Sequence, residues 1–166
     1  MLSRCVALPL LVLLAQAMPA SAQGRPEQLG RWGERPSRCL RSWAGAKPGS
    51  CVSVVLDQRS AGVMRVVLMA PADPPLAFNQ LSFVGQLQQG SEPMSCRQGV
   101  CSLSQPMALS LSSVSQAEFD PRGLARSLPS AWPVNGQCQL RPERISCEAK
   151  ALSGEFWTAE ANSREH

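Results

Sequence analysis

The chain has 166 residues, 44% of them hydrophobic and 17% charged, with a formal net charge of +4. That length and apolar fraction fit one domain able to bury a core. The sequence holds seven cysteines, no tyrosine and one histidine, the terminal His166, so Ser-His-Asp and Cys-His nucleophile activation and most zinc sites have no fixed imidazole to use. Three aspartates, Asp57, Asp73 and Asp120, are too few for acidic metal-binding loops.

Residues 1–22 read as a secretory signal peptide. Arg4 supplies the positive start, residues 5–14 the apolar stretch, and Ala20-Ser21-Ala22 a small-x-small cleavage site. The apolar stretch is short for a membrane crossing and is interrupted by Pro9 and Pro19, so no transmembrane span is expected. Cleavage removes Cys5 and leaves Cys39, Cys51, Cys96, Cys101, Cys138 and Cys147 in a periplasmic or extracellular compartment, where an even set reads as disulfides. No Cys-x-x-Cys is present, which argues against a zinc ribbon, a thioredoxin-type site and covalent haem.

Residues 23–50 form a basic, Arg- and Trp-containing segment, expected to be irregular apart from one turn of helix over residues 37–44. A β domain is expected over residues 51–160, followed by a polar tail, 161–166. Lys47-Pro48-Gly49-Ser50 has turn chemistry and closes a loop between Cys39 and Cys51. The runs 52–57 and 63–69 are rich in β-branched residues. Setting Val52, Val54 and Leu56 against Leu68, Val66 and Met64 gives a fully apolar hairpin face. One or two further strands are expected over residues 76–88, weakened at Gly85.

Cys96-Arg-Gln-Gly-Val-Cys101 reads as a tight hairpin whose turn sits on Gln98-Gly99, where glycine accepts a positive φ. Met107, Leu109 and Leu111 alternate with small or polar residues, as in a half-buried strand. Asp120-Pro121 resembles a helix start, and a short helix is expected over residues 121–128, weakened by Gly123. The register that places Cys138 opposite Cys147 also pairs Leu140 with Ile145, and Arg141 with Arg144 beside a Pro142-Glu143 turn. It gathers Cys138, Leu140, Ile145, Cys147 and Ala149 on one face, and Gln137, Gln139, Ser146, Glu148 and Lys150 on the other. The pairings expected are 39–51, 96–101 and 138–147. A last strand is expected over residues 155–159. The fold class is therefore mainly β, a small antiparallel β-sandwich or partly open barrel with one short helix, stapled by disulfides.

Chemistry is sparse. No Gly-x-Ser-x-Gly, Ser-x-x-Lys or glycine-rich phosphate loop occurs, and no cofactor, metal or catalytic residue is indicated. Glu118 with Asp120, or Glu143 with Glu148, are the carboxylate pairs a small secreted hydrolase could use; an unrecognised serine site is its other route. Trp132 and Trp157 read as closing the ends of the core, with a sugar-stacking platform as the alternative.

Charge is distributed unevenly. Residues 24–50 carry six basic residues and two acids, whereas from Cys51 onward nine basic residues face ten acidic ones. Arg31, Trp32, Arg35, Arg38, Arg41 and Trp43 interleave cations with indoles, the pattern of a contact surface for an unknown protein or an anionic envelope component. The plainer reading is a solvated leader in which the two indoles cover the core. Nucleic acid is not expected, because export removes the usual target.

The order of these features resembles the invasion-associated locus B family of exported bacterial proteins. The resemblance rests on Trp32 followed by Cys39 and Cys51, the apolar hairpin from Val52 to Met69 ending near Pro71, the Cys96–Cys101 hairpin, and Gly123-Leu-Ala-Arg-Ser-Leu128. It spans residues 32–128 and rests on spacing more than identity; Cys138 and Cys147 fall outside the family pattern, and Ala151-Leu-Ser-Gly154 fits it only loosely. It implies a non-enzymatic β-sandwich of the envelope and carries over no catalytic residue.

Overall fold

The computed structural model describes residues 29–44, 46–60 and 62–163. The expected signal peptide, its cleavage site and His166 lie outside these residues. Twelve strands follow in chain order: β1 (Gly30–Glu34), β2 (Arg38–Arg41), β3 (Gly49–Ser50), β4 (Ser53–Gln58), β5 (Val63–Pro71), β6 (Phe78–Leu87), β7 (Ser95–Arg97), β8 (Gly99–Ser102), β9 (Met107–Phe119), β10 (Ser130–Leu140), β11 (Arg144–Ala151) and β12 (Phe156–Asn162). They make one curled sheet, a half-barrel, in the order β3-β2-β12-β11-β10-β9-β6-β5-β4-β1-β8-β7. The expected mainly β class is observed; two stacked sheets are not.

From β4 to β12, strands adjacent in sequence are adjacent in the sheet, except that the β7–β8 hairpin is set aside next to β1. The period-two alternation explains which face is buried. Val54, Leu56, Met64, Val66, Leu68, Leu81, Phe83, Leu109, Cys138, Leu140, Ile145 and Trp157 all point into one core. On β11 and β12 most other inward residues are small: Ala149 faces Trp157 directly, and Ala159 faces Cys147.

Curvature comes from two irregularities. The β6–β9 register shifts between Val84 and Gly85, and the β10–β9 register shifts between Pro133 and Gly136. Both glycines sit where backbones nearly touch: a Cβ on Gly85 would lie 2.4 Å from the Ser110 carbonyl oxygen, and one on Gly136 would lie 2.2 Å from that of Glu148. Gly85 therefore bends β6 rather than ending it.

No helix occurs among the described residues. The helix expected over residues 121–128 is replaced by a compact turn. The Asp120 carboxylate accepts the backbone N–H groups of Arg122 and Leu124, both at 2.9 Å, and Gly123 takes a φ of +78°. An Asx turn has thus used the capping residue that would have started the helix. Likewise, residues 38–41 are strand β2, not a turn of helix. Arg38, Cys39, Leu40 and Arg41 pair with Asn162, Ala161, Glu160 and Ala159 of β12, so the basic segment is part of the sheet.

All three expected disulfides are present: Cys39–Cys51, Cys96–Cys101 and Cys138–Cys147. In the last, Cys138 opposes Cys147, and Leu140 opposes Ile145, as the alternation requires. Gln98 and Gly99 both have positive φ, +51° and +80°, in the two-residue turn of the β7–β8 hairpin.

The β4–β5 hairpin is correct in its faces but shifted in register. Val54 opposes Leu68 and Leu56 opposes Val66, two residues from the expected pairing. Val52 lies outside β4 and is exposed. The turn sets the register: the Arg59 N–H donates to the Val63 carbonyl, and Ser60 Oγ accepts from the Val63 N–H at 3.1 Å.

The sheet is drawn together where the chain passes from β1 to β2. The Ser37 N–H donates to the Asn162 carbonyl at 2.9 Å, and Ser163 Oγ donates to Glu34 Oε1 at 2.7 Å. The Cys39–Cys51 bridge ties β2 to the start of β4, seven places away across the sheet order.

Candidate functional site

The six residues of the cation–indole run are not one surface. Strand alternation divides them. On β1, Arg31 points outward while Trp32 packs against the core. Arg35 and Arg38 are exposed on the crossing to β2 and at its start. Arg41 is 7% exposed, so it is a sequestered cation and not part of an open contact surface. Trp43 is half-buried, with the Arg41 guanidinium carbon 4.9 Å from its ring centroid. Strand alternation thus sets Arg41 and Trp32 apart from the exposed Arg31, Arg35 and Arg38.

Arg31 reaches a carboxylate that the sequence pattern did not single out. Asp57 on β4 is 6% exposed and lies opposite both Arg31 on β1 and Arg65 on β5. Three guanidiniums converge on its Oδ2: Arg59 at 2.7 Å, Arg65 at 3.0 Å and Arg31 at 3.5 Å. One carboxylate cannot neutralise three cations, so this outer face is electropositive. Arg59 and Arg65 lie after Cys51, where net charge alone gave no sign of a basic patch. Cross-strand register is the signal that finds them.

Around Arg41 the edge of the sheet forms a recess of about 250 Å³, lined by Arg41, Trp43, Lys47, Gly49, Asn79 and Glu118. Arg41 Nη2 donates to Asn79 Oδ1. Its Nε and Nη1 are buried with no hydrogen-bond partner among the described residues. Burial holds the Arg41 pKa below the ordinary arginine value, but a guanidinium keeps its proton at physiological pH all the same. A second concavity, about 470 Å³, covers the polar face of β10, β11 and β12, where Gln137, Gln139, Glu148, Thr158 and Glu160 project.

Of the four acids in the candidate carboxylate pairs, Asp120 and Glu148 are engaged elsewhere. Asp120 caps its turn and pairs with Arg122 at 3.2 Å. Glu148 accepts from Gln137 Nε2 at 3.1 Å across the sheet, and Glu143 lies in the turn between β10 and β11. Glu118 is exposed and lines the Arg41 recess. Trp157 is 0% exposed and stacks obliquely on Trp132, 5.0 Å between centroids, so Trp157 closes the core and offers no platform to a sugar. Among the described residues no group of three or more His, Cys, Asp or Glu side chains is placed to hold a metal ion, and no helix is long and apolar enough to cross a membrane.

No family model, no curated protein and no solved structure matches this chain.

Proposed function

We propose that the chain is an exported, non-enzymatic binding module of the bacterial periplasm or envelope, with the basic N-terminal segment as its contact surface. The observation that carries this reading is the placement of Arg35 and Arg38. Both are exposed where the chain crosses from β1 to β2, a crossing pinned by Ser37 to Asn162. Cations held on a folded edge are preorganised for an anionic partner, whereas a loose leader must be ordered on binding. The Arg31, Arg59 and Arg65 cluster on β1, the β4–β5 turn and β5 extends the positive surface. Three disulfides fit an oxidising compartment, in keeping with the signal-like residues 1–22. The order of Trp32, Cys39, Cys51 and the Cys96–Cys101 hairpin is in keeping with the invasion-associated locus B family, and with the envelope role that resemblance implies.

The test is fractionation of cells expressing the full chain with Arg35→Ser and Arg38→Ser together. Both side chains are exposed, so the fold is retained. The double variant moves from the envelope-associated to the soluble fraction, and the shift is mimicked by raised salt in the wild type. Unchanged fractionation overturns the reading.

A further inference from the structure

A buried cation with no counter-ion needs an explanation, because taking a charged group out of water is costly unless it is paired. Arg41 is such a group. It is 7% exposed, forms no ion pair among the described residues, and leaves Nε and Nη1 without acceptors. Its one acceptor, Asn79 Oδ1, is neutral. The Trp43 ring beneath it stabilises a cation through its quadrupole and does nothing for an anion. Lys47, exposed at the same recess, adds a second positive charge. The only acid lining the recess is Glu118, which points to solvent and makes no ion pair with Arg41.

We propose that the recess between β2, β3 and the β6–β9 pair is a binding site for a small oxyanion, a phosphate or carboxylate group, held by Arg41 and Lys47 with Asn79 fixing the guanidinium. The volume of about 250 Å³ suits a head group and its hydration rather than a whole nucleotide or disaccharide. The oxyanion accepts from the unpartnered guanidinium and supplies the charge that the protein leaves missing. Asn79 holds Arg41 in place through Nη2, so the donors are set before the ligand arrives. This inference rests on reading the N-terminal segment as the binding segment, and names the chemistry of what it takes.

The test follows the Arg41 Nε–H and Trp43 indole N–H resonances of the intact chain by NMR. Inorganic phosphate, acetate and chloride are titrated at matched ionic strength. Both resonances shift saturably with phosphate or acetate and not with chloride. A parallel arm adds phosphatidylcholine vesicles with and without phosphatidylglycerol. A response to free phosphate alone assigns a soluble ligand, and a response to the anionic vesicles assigns a lipid head group; either upholds the site.

Arg41 variants can fail to fold, so exposed residues carry the mutational test. Lys47→Ser weakens binding about two- to fivefold, the scale of one exposed charge. Glu118→Gln strengthens it by a similar factor, by removing a competing negative charge. If neither oxyanion nor vesicle moves the Arg41 resonance, or if Glu118→Gln instead lowers thermal stability because Glu118 is the built-in counter-ion, the proposal is overturned. Its failure is distinct from failure of the envelope reading. Phosphate can shift Arg41 while Arg35→Ser/Arg38→Ser leaves fractionation unchanged, and the reverse outcome is equally separable.

Discussion

Asp57 and Arg65 stand directly across from each other on β4 and β5, with Arg65 Nη2 3.0 Å from Asp57 Oδ2. The same oxygen serves Arg59 and Arg31. Removing the carboxylate therefore does more than break one pair: it leaves three guanidiniums crowded around an uncharged site. Asp57→Ala is expected to lower stability by about 2–3 kcal/mol, below the full cost of a broken buried pair because the arginines are partly solvated. Arg59→Ala, which removes an exposed partner, costs less than about 1 kcal/mol. Urea denaturation measures both, and added salt recovers part of the Asp57→Ala loss by screening the repulsion.

Trp157 is enclosed, and its Nε1–H has no acceptor among the described residues. Trp157→Ala removes the largest fully buried side chain and is expected to cost about 3–5 kcal/mol. Trp157→Phe costs clearly less, since the ring volume is partly kept and no hydrogen bond is lost. Equal destabilisation by the two substitutions would show that the indole N–H does have a partner.

Gly85 and Gly136 permit the approach of neighbouring backbones at the two bulges. Gly85→Ala and Gly136→Ala each force apart a strand pair at a carbonyl oxygen, with an expected loss of about 1–3 kcal/mol. Gly62→Ala is the control, because a Cβ there has nothing within 4 Å. Midpoints of thermal unfolding separate the three: two fall and one stays.

The Asp120 carboxyl is held below the ordinary carboxylate value, first by the Leu124 N–H, then by Arg122. A lowered folded-state pKa means that this contribution is present in full above the unfolded value of about 3.9 and is lost as pH falls through the folded value. The amide resonances of Leu124 and Arg122 should therefore hold their positions while ordinary aspartates titrate, and move only at lower pH. Asp120→Ala loses the turn at every pH. Asp120→Asn keeps an acceptor oxygen and retains part of it, without the pH dependence.

Much of this fold was legible in the chain, and the failures have physical causes. The Cys138–Cys147 hairpin could be read because setting its two cysteines opposite each other fixes the register, and the alternation then separates apolar from polar residues. The β4–β5 register could not, because a slip of two residues returns Val54 and Leu56 to the same face; the bonds of the Arg59–Val63 turn decide it, and hydrophobic pattern is blind to them. That slip also hid Asp57 opposite Arg65. Arg31 alternating with Trp32 is a strand pattern, and it sends the cation and the indole to opposite faces, which a count of charges along the chain does not reveal. Asp120-Pro121 carried a sound capping signal, spent here on a turn. The burial of Arg41 had no sequence sign, since it depends on Asn79 of β6 meeting β2 across the curl of the sheet.

The position of β12 has a consequence for the order of assembly. Strand β2 is made from residues 38–41, yet its long neighbour β12 is made from residues 156–162. As the chain emerges from its N-terminus, that pairing must wait for nearly all of the rest. Cys39 meanwhile has Cys51 twelve residues away, a short and rapid closure compared with so distant a pairing. The bridge can therefore moor β2 near β4 before its permanent partner exists. β12 then enters between β11 and β2 as a keystone, and a chain shortened before residue 156 would keep most of its hairpins while leaving two strand edges bare for another copy to join.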